Sequence, residues 1–122
     1  MKFTDNDRPS HSPWGHIHGC ENVATGIWRV DTASHGGYYL SIERIATMPK
    51  PLRDYVPFVA RNGSGTSHWF EEDVDWCIVC LAYPGDFTRK MPVDEKLRVE
   101  NIARRTALTI NDPALQQWLL NN

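Results

Sequence analysis

The chain has 122 residues, a hydrophobic fraction of 41%, a charged fraction of 23% and a formal net charge of −2. That length suits a single domain around one core, and that mix excludes a wholly disordered chain. The mild acidity, with a pI near 6.2, does not suit a protein held to nucleic acid by bulk charge, which would be clearly basic.

Three cysteines, Cys20, Cys77 and Cys80, are an odd number, and Met1 to Arg8 lacks the apolar stretch of an export signal. Together these argue against a disulfide scaffold and place the chain in a reducing cytoplasm. No apolar run reaches the length of a membrane span.

Residues 1–13 are polar, contain Pro9 and Pro13, and read as a flexible N-terminal arm before a single domain over 14–122. Glu21 to Ala24 is a candidate short strand. Gly26 to Thr32 alternates apolar and polar residues and is the best strand candidate in the chain. Ala33 to Gly37 makes a turn and Tyr38-Tyr39-Leu40 returns, which predicts an antiparallel hairpin with a five-residue connection.

Ser41 has the chemistry of a helix N-cap, and Leu40 with Ile45 has the spacing of a hydrophobic staple. Pro49 and Pro51 end that helix by Met48. Pro51 to Tyr55 can add one helical turn, Val56 to Ala60 is ambiguous, and Arg61 to Ser67 reads as a mobile loop lying just before an acidic run.

Glu71 to Tyr83 is expected to be the central helix. Val74, Cys77, Ile78 and Leu81 form one apolar stripe, and the acids Glu71, Glu72 and Asp73 sit in the first turn, where the helix dipole favours them. A buried strand over Trp76 to Ala82 is the rival reading. Asp94 to about Ile110 reads as an amphipathic helix with Val99, Ile102, Ala103, Thr106 and Ile110 inward and Arg98, Arg104 and Arg105 outward. Asn111-Asp112-Pro113 then starts a last helix docked by Leu115, Trp118 and Leu119. The expected fold is α+β: a small antiparallel sheet of two to four strands against three or four helices.

Three groups of residues can carry chemistry. In the first, His35 faces Glu71, Glu72 or Asp73; a carboxylate on one imidazole nitrogen fixes the tautomer and frees the other nitrogen as base, acid or ligand. His35, Glu71 and Glu72 are the candidate catalytic residues. Gly36, Gly37, Tyr38, Trp69 and Asp73 are the candidate ligand-binding residues, with Tyr39 as a further wall. The bland reading is that His35 locks the hairpin to the helix and the acids serve the dipole. No nucleophile stands at a diagnostic spacing.

In the second, His16, His18, Cys20, Cys77 and Cys80 offer donors that suit zinc. Cys77 and Cys80 fall mid-helix among apolar residues, however, where free cysteine acts as a small hydrophobe. Neither a metal nor a cofactor is assigned. In the third, Arg89, Lys90, Arg98, Arg104 and Arg105 form a basic patch, diluted by Asp94, Glu95 and Glu100, and a solvated helix face accounts for it.

Trp14-Gly15, Gly26 to Thr32, Ser34-His35-Gly36-Gly37, Leu40-Ser41, Pro51-Leu52-Arg53 and Phe70-Glu71-Glu72-Asp73-Val74-Asp75-Trp76 occur in that order. In this the chain resembles a small uncharacterised domain carried by phages, plasmids and their hosts. The resemblance implies a mobile-element neighbourhood and no activity. Taken with the compact size, the mild acidity and the lack of a recognisable catalytic set, it leads to the expectation of an accessory protein of a mobile element or its host that binds another macromolecule, most simply a protein, with inhibition of a host defence (CRISPR surveillance included) as a narrower form. The alternative is a small-ligand-binding protein or a hydrolase-like enzyme built on His35 and the acids. Nucleic acid and membrane are not favoured as partners, and the oligomeric state is open.

Overall fold

The computed structural model describes residues 2–122. Four antiparallel strands lie in sequence order: β1 (Ile17–Ala24), β2 (Ile27–Thr32), β3 (Gly36–Leu40) and β4 (Trp69–Glu71). Successive side chains point to opposite faces of a strand, and here both faces are covered. Ile27, Leu40 and Phe70 join the main core with the helices, while Val30, Trp69, Trp28 and Tyr39 pack on the other side under Trp14 and Val59. This is the α+β architecture expected, with the sheet at the upper end of the expected strand count.

Seven helices are present among the described residues: α1 (Ile42–Thr47), α2 (Lys50–Arg53), α3 (Phe58–Arg61), α4 (Trp76–Ala82), α5 (Pro84–Phe87), α6 (Val93–Leu108) and α7 (Pro113–Asn121). Of these, α2, α3 and α5 are single turns of 4 residues. Ser41 caps α1, its Oγ accepting from Arg44 N at 3.2 Å, and the helix ends at Met48 before Pro49. Asp112 caps α7 in the same way, accepting from Leu115 N at 3.1 Å. Cys77, Ile78, Val79 and Cys80 of α4 are fully buried, with α6 packed against them through Ala103 and Ala107. Burial pushes the Cys77 and Cys80 thiols up to about 12.

Several boundaries differ from the expectation. The strand expected over Glu21 to Ala24 begins at Ile17, because its first half pairs with Val30 to Thr32. The turn after β2 spans three residues, since Gly36 and Gly37 are already paired in β3. Thr32 closes it: its N–H and its hydroxyl both donate to His35 O, at 2.9 and 2.8 Å.

The central helix starts at Trp76, five residues after the expected Glu71. Trp69 to Glu71 pairs with β3, and Glu72 to Asp75 forms the connecting turn. Arg104, expected outward, is half-buried and donates to Leu119 O at 2.8 Å.

Within the segment read as an arm, residues 3–6 contact α1 and the β1–β2 turn. Thr4 N and Asp5 N donate to the Glu43 carboxylate at 3.0 and 2.5 Å, and these two N–H groups hold Glu43 below the usual carboxylate range. The Phe3 ring centroid lies 3.8 Å from the Arg44 guanidinium, with the Tyr83 ring on the same cation at 4.6 Å. Arg44 itself is 2% exposed and ion-pairs with Asp86 at 2.7 Å.

Candidate functional site

The β2–β3 turn, the β4–α4 turn, Trp14 and α3 enclose an open cleft of about 380 Å³. Its walls include Trp14, His35, Phe58, Asn62, Glu71 and Asp73. The hairpin and the acidic run therefore do meet, although the acids belong to a strand end and a turn and not to a helix.

Trp14 can lie on the sheet because position 37 is glycine. A Cβ there would stand 2.5 Å from Trp14 Cη2, 2.4 Å from Phe70 O and 3.0 Å from Glu71 Cα. These separations are far inside ordinary contact distance. The ring then packs edge-on to Trp69 at 5.4 Å between centroids and forms one wall.

Each acid has its own role. Glu71 accepts from the backbone N–H groups of Asp73, Val74 and Asp75, at 2.7, 2.6 and 2.8 Å, and so holds the turn that leads into α4. Glu72 accepts from Gly36 N at 2.8 Å and from Arg29 Nη2 at 2.9 Å, while its own N–H donates to Gly36 O at 3.0 Å. Arg29 also bonds Asp31, at 2.8 Å. The hairpin is thus fastened to β4 by Glu72 through the Gly36 backbone, and not through the His35 imidazole.

Asp75 is fully buried and accepts from the Tyr55 hydroxyl and, at 2.8 Å, from Phe58 N. Desolvation raises its pKa from the ordinary aspartate value, although those two bonds favour the charged form. The bonds fix the start of α3, which leaves Phe58 52% exposed at the mouth of the cleft. Asp73 is exposed, and its carboxylate takes part in none of these bonds.

Of the residues singled out from sequence, His35, Glu71 and Asp73 line one cleft. Glu72 lies beside it in the Arg29 network, and Gly36 and Gly37 are buried in β3, against that network and beneath Trp14 respectively, outside the cleft lining. Tyr38 is elsewhere: it packs on Phe87 and under the Arg29 guanidinium, on the helix-covered face of the sheet. Trp69 is 7% exposed and supports Trp14 from beneath without forming a wall. Tyr39 packs on Trp69.

His35 is exposed, and its backbone N–H donates to Thr32 Oγ1 at 3.1 Å. Phe58, Asn62 and Ser64 also line the cleft and are not among the candidates read from sequence; Asn62 and Ser64 belong to the loop that precedes the acidic run. Phe58 sat in a segment with no clear periodicity, so no local signal marked it.

Cys77 and Cys80 belong to the main core, while Cys20 packs with Trp28 and Val30 on the other face of the sheet. Among the described residues no three metal-ligating side chains come together. No helix among them is long and apolar enough to cross a membrane.

No curated protein and no solved structure matches the chain. Residues 7–118 match the family described as a domain of unknown function, DUF7007, and the chain belongs to that family.

Proposed function

We propose that this protein works by binding another protein through the cleft bounded by His35, Phe58 and Asp73. One observation carries the reading: two of the three carboxylates that could serve His35 in catalysis are committed elsewhere. Glu71 is taken up by three backbone N–H groups, and Glu72 by Gly36 N and Arg29. What remains open at the surface is recognition chemistry: an exposed aromatic ring, a free carboxylate and an imidazole around a concave surface. The setting we attach to this reading, from the resemblance, is a mobile element or its host cytoplasm, with inhibition of a host defence as its narrowest form.

The test compares wild type with Phe58→Ser in pull-downs from a host lysate, after both are shown to melt alike. A stoichiometric partner that wild type retains and the variant loses is the expected result. Equal recovery by both, or no stoichiometric partner in repeated trials, overturns the proposal.

The small-ligand or hydrolase reading has one observation in its favour: about 380 Å³ suits a small molecule, and His35 shares that space with Asp73. It requires His35→Ala to abolish ligand binding or turnover with the melting temperature unchanged.

A further inference from the structure

Resting on the binding proposal, we infer that the partner presents a basic segment, with one arginine or lysine seated in the cleft between Phe58 and Asp73. A second hollow of about 420 Å³ lies across Phe58 and shares Phe58, Glu71 and Asp73 with the first. The exposed ring therefore stands as a ridge between two depressions, with Asp73 open to both. The second hollow shows what this ring accepts: the guanidinium of Arg61 lies over Phe58, 5.7 Å from its centroid. The chain's own arginine is thus a stand-in for the proposed occupant on one side of the ridge.

The first cleft presents the same ring and acids with no arginine or lysine of its own in the wall. The charged and titratable groups that face it are Glu71, Asp73 and His35. A long basic side chain fits both parts of that surface. Its methylene stem covers the apolar wall of Phe58, Val59 and Pro13, while its cationic head reaches the Asp73 carboxylate and the ring face. A nucleic-acid backbone or an acidic peptide would bring its charge against Glu71 and Asp73, which disfavours both. Charge complementarity thus selects the partner's sign, and the Phe58 ridge selects an extended segment that can straddle it.

The probes are two fluorescein-labelled nonapeptides, (Gly-Arg-Ser)3 and (Gly-Glu-Ser)3, titrated against 15N-labelled full chain. The basic peptide is expected to bind, with shifts confined to the amides of residues around His35, Phe58 and Asp73 and to the Trp14 indole. Asp73→Asn and Phe58→Ser are each expected to weaken it about fivefold to tenfold. Raised salt should lower the affinity of wild type more than that of Asp73→Asn.

Three results overturn the inference: equal binding of the acidic peptide, shifts centred on Glu95 and Glu100 of α6, or full affinity in Asp73→Asn. A single-stranded oligonucleotide that shifts the same amides overturns it as well. If the peptides fail while a captured protein still depends on Phe58, the partner's chemistry is wrong and the binding proposal stands. If the captured protein ignores Phe58, the binding proposal itself fails.

Discussion

Gly37→Ala tests the construction of the cleft directly. The glycine has an ordinary negative φ, so an alanine meets no backbone penalty there. The whole cost is spatial. The added Cβ would stand 2.4 Å from Phe70 O and 3.0 Å from Glu71 Cα, both backbone atoms of a strand hydrogen-bonded to β3, and 2.5 Å from Trp14 Cη2. Both neighbours must give: the β4 backbone has to shift against its pairing with β3, and the Trp14 ring has to lift off the sheet. Overpacking of this kind costs about 1–3 kcal/mol, and partial exposure of the indole adds about 1 kcal/mol.

For a chain of this size, a total of about 2–4 kcal/mol lowers the melting temperature by roughly 8–16 °C. Circular dichroism reads the melt, and a red-shifted tryptophan emission reads the lifted ring. Gly36→Ala is the control: its Cβ would meet Arg29 Nη2, Asp31 Oδ1 and Glu72 Oε1 at 2.5, 2.9 and 3.1 Å, all at the ends of side chains. It should cost less than half as much. If Gly37→Ala melts within about 2 °C of wild type, with unchanged emission, then Trp14 does not depend on that glycine and the account of the cleft is refuted.

Ser41→Ala removes the α1 cap and should cost about 1 kcal/mol in chemical denaturation, with no change if Arg44 N finds another acceptor. Phe3→Ala strips one aromatic face from the Arg44 guanidinium and should cost about 1–2 kcal/mol while hastening proteolysis within residues 2–12; an unchanged cleavage rate would show that the segment does not depend on that contact. Cys77 and Cys80, with thiols pushed up to about 12 and buried, should resist a thiol reagent at pH 8 in the native state, whereas half-buried Cys20 reacts first. Asp75 has a raised pKa in the fold, so the folded chain holds its proton to higher pH than the unfolded chain. Its charging therefore costs stability as pH rises through that window, and acidification should favour wild type over Asp75→Asn. Parallel melting profiles for the two proteins from pH 7 to pH 4 would remove Asp75 as the cause.

The parts of the fold legible in the sequence are those whose signals are local. Ser41 before Ile42 and Asp112 before Pro113 each satisfy a backbone donor three positions away, so their caps need no knowledge of the rest of the chain. The alternation of Gly26 to Thr32 survives because each face of the sheet meets its own apolar layer. What failed to show depends on partners far along the chain. Phe3 belongs to a polar segment, and its value lies in Arg44, forty-one positions later. The glycine pair was read as a turn because glycine favours turns. Its actual role is close approach, toward Trp14 at position 37 and toward the Arg29 network at position 36.

The acidic run shows how a sound local rule leads to the wrong helix start. Three acids before an apolar stretch suit the positive end of a helix, and the same composition suits a turn that must satisfy several backbone donors before the helix begins. The two cases differ in where the carboxylates point. Glu71 turns back on the three N–H groups that follow it, Glu72 crosses to Gly36 and Arg29, and Asp75 reaches inward to Tyr55 and Phe58. Each therefore draws a separate element, the α4 entry, the hairpin or α3, toward one point. A cleft arises where those elements meet, and Asp73, the acid left out of these bonds, stands at its edge. Two of the three acids in the run thus hold neighbouring elements in place, and the third, Asp73, carries the preference for a cation that we propose for the cleft.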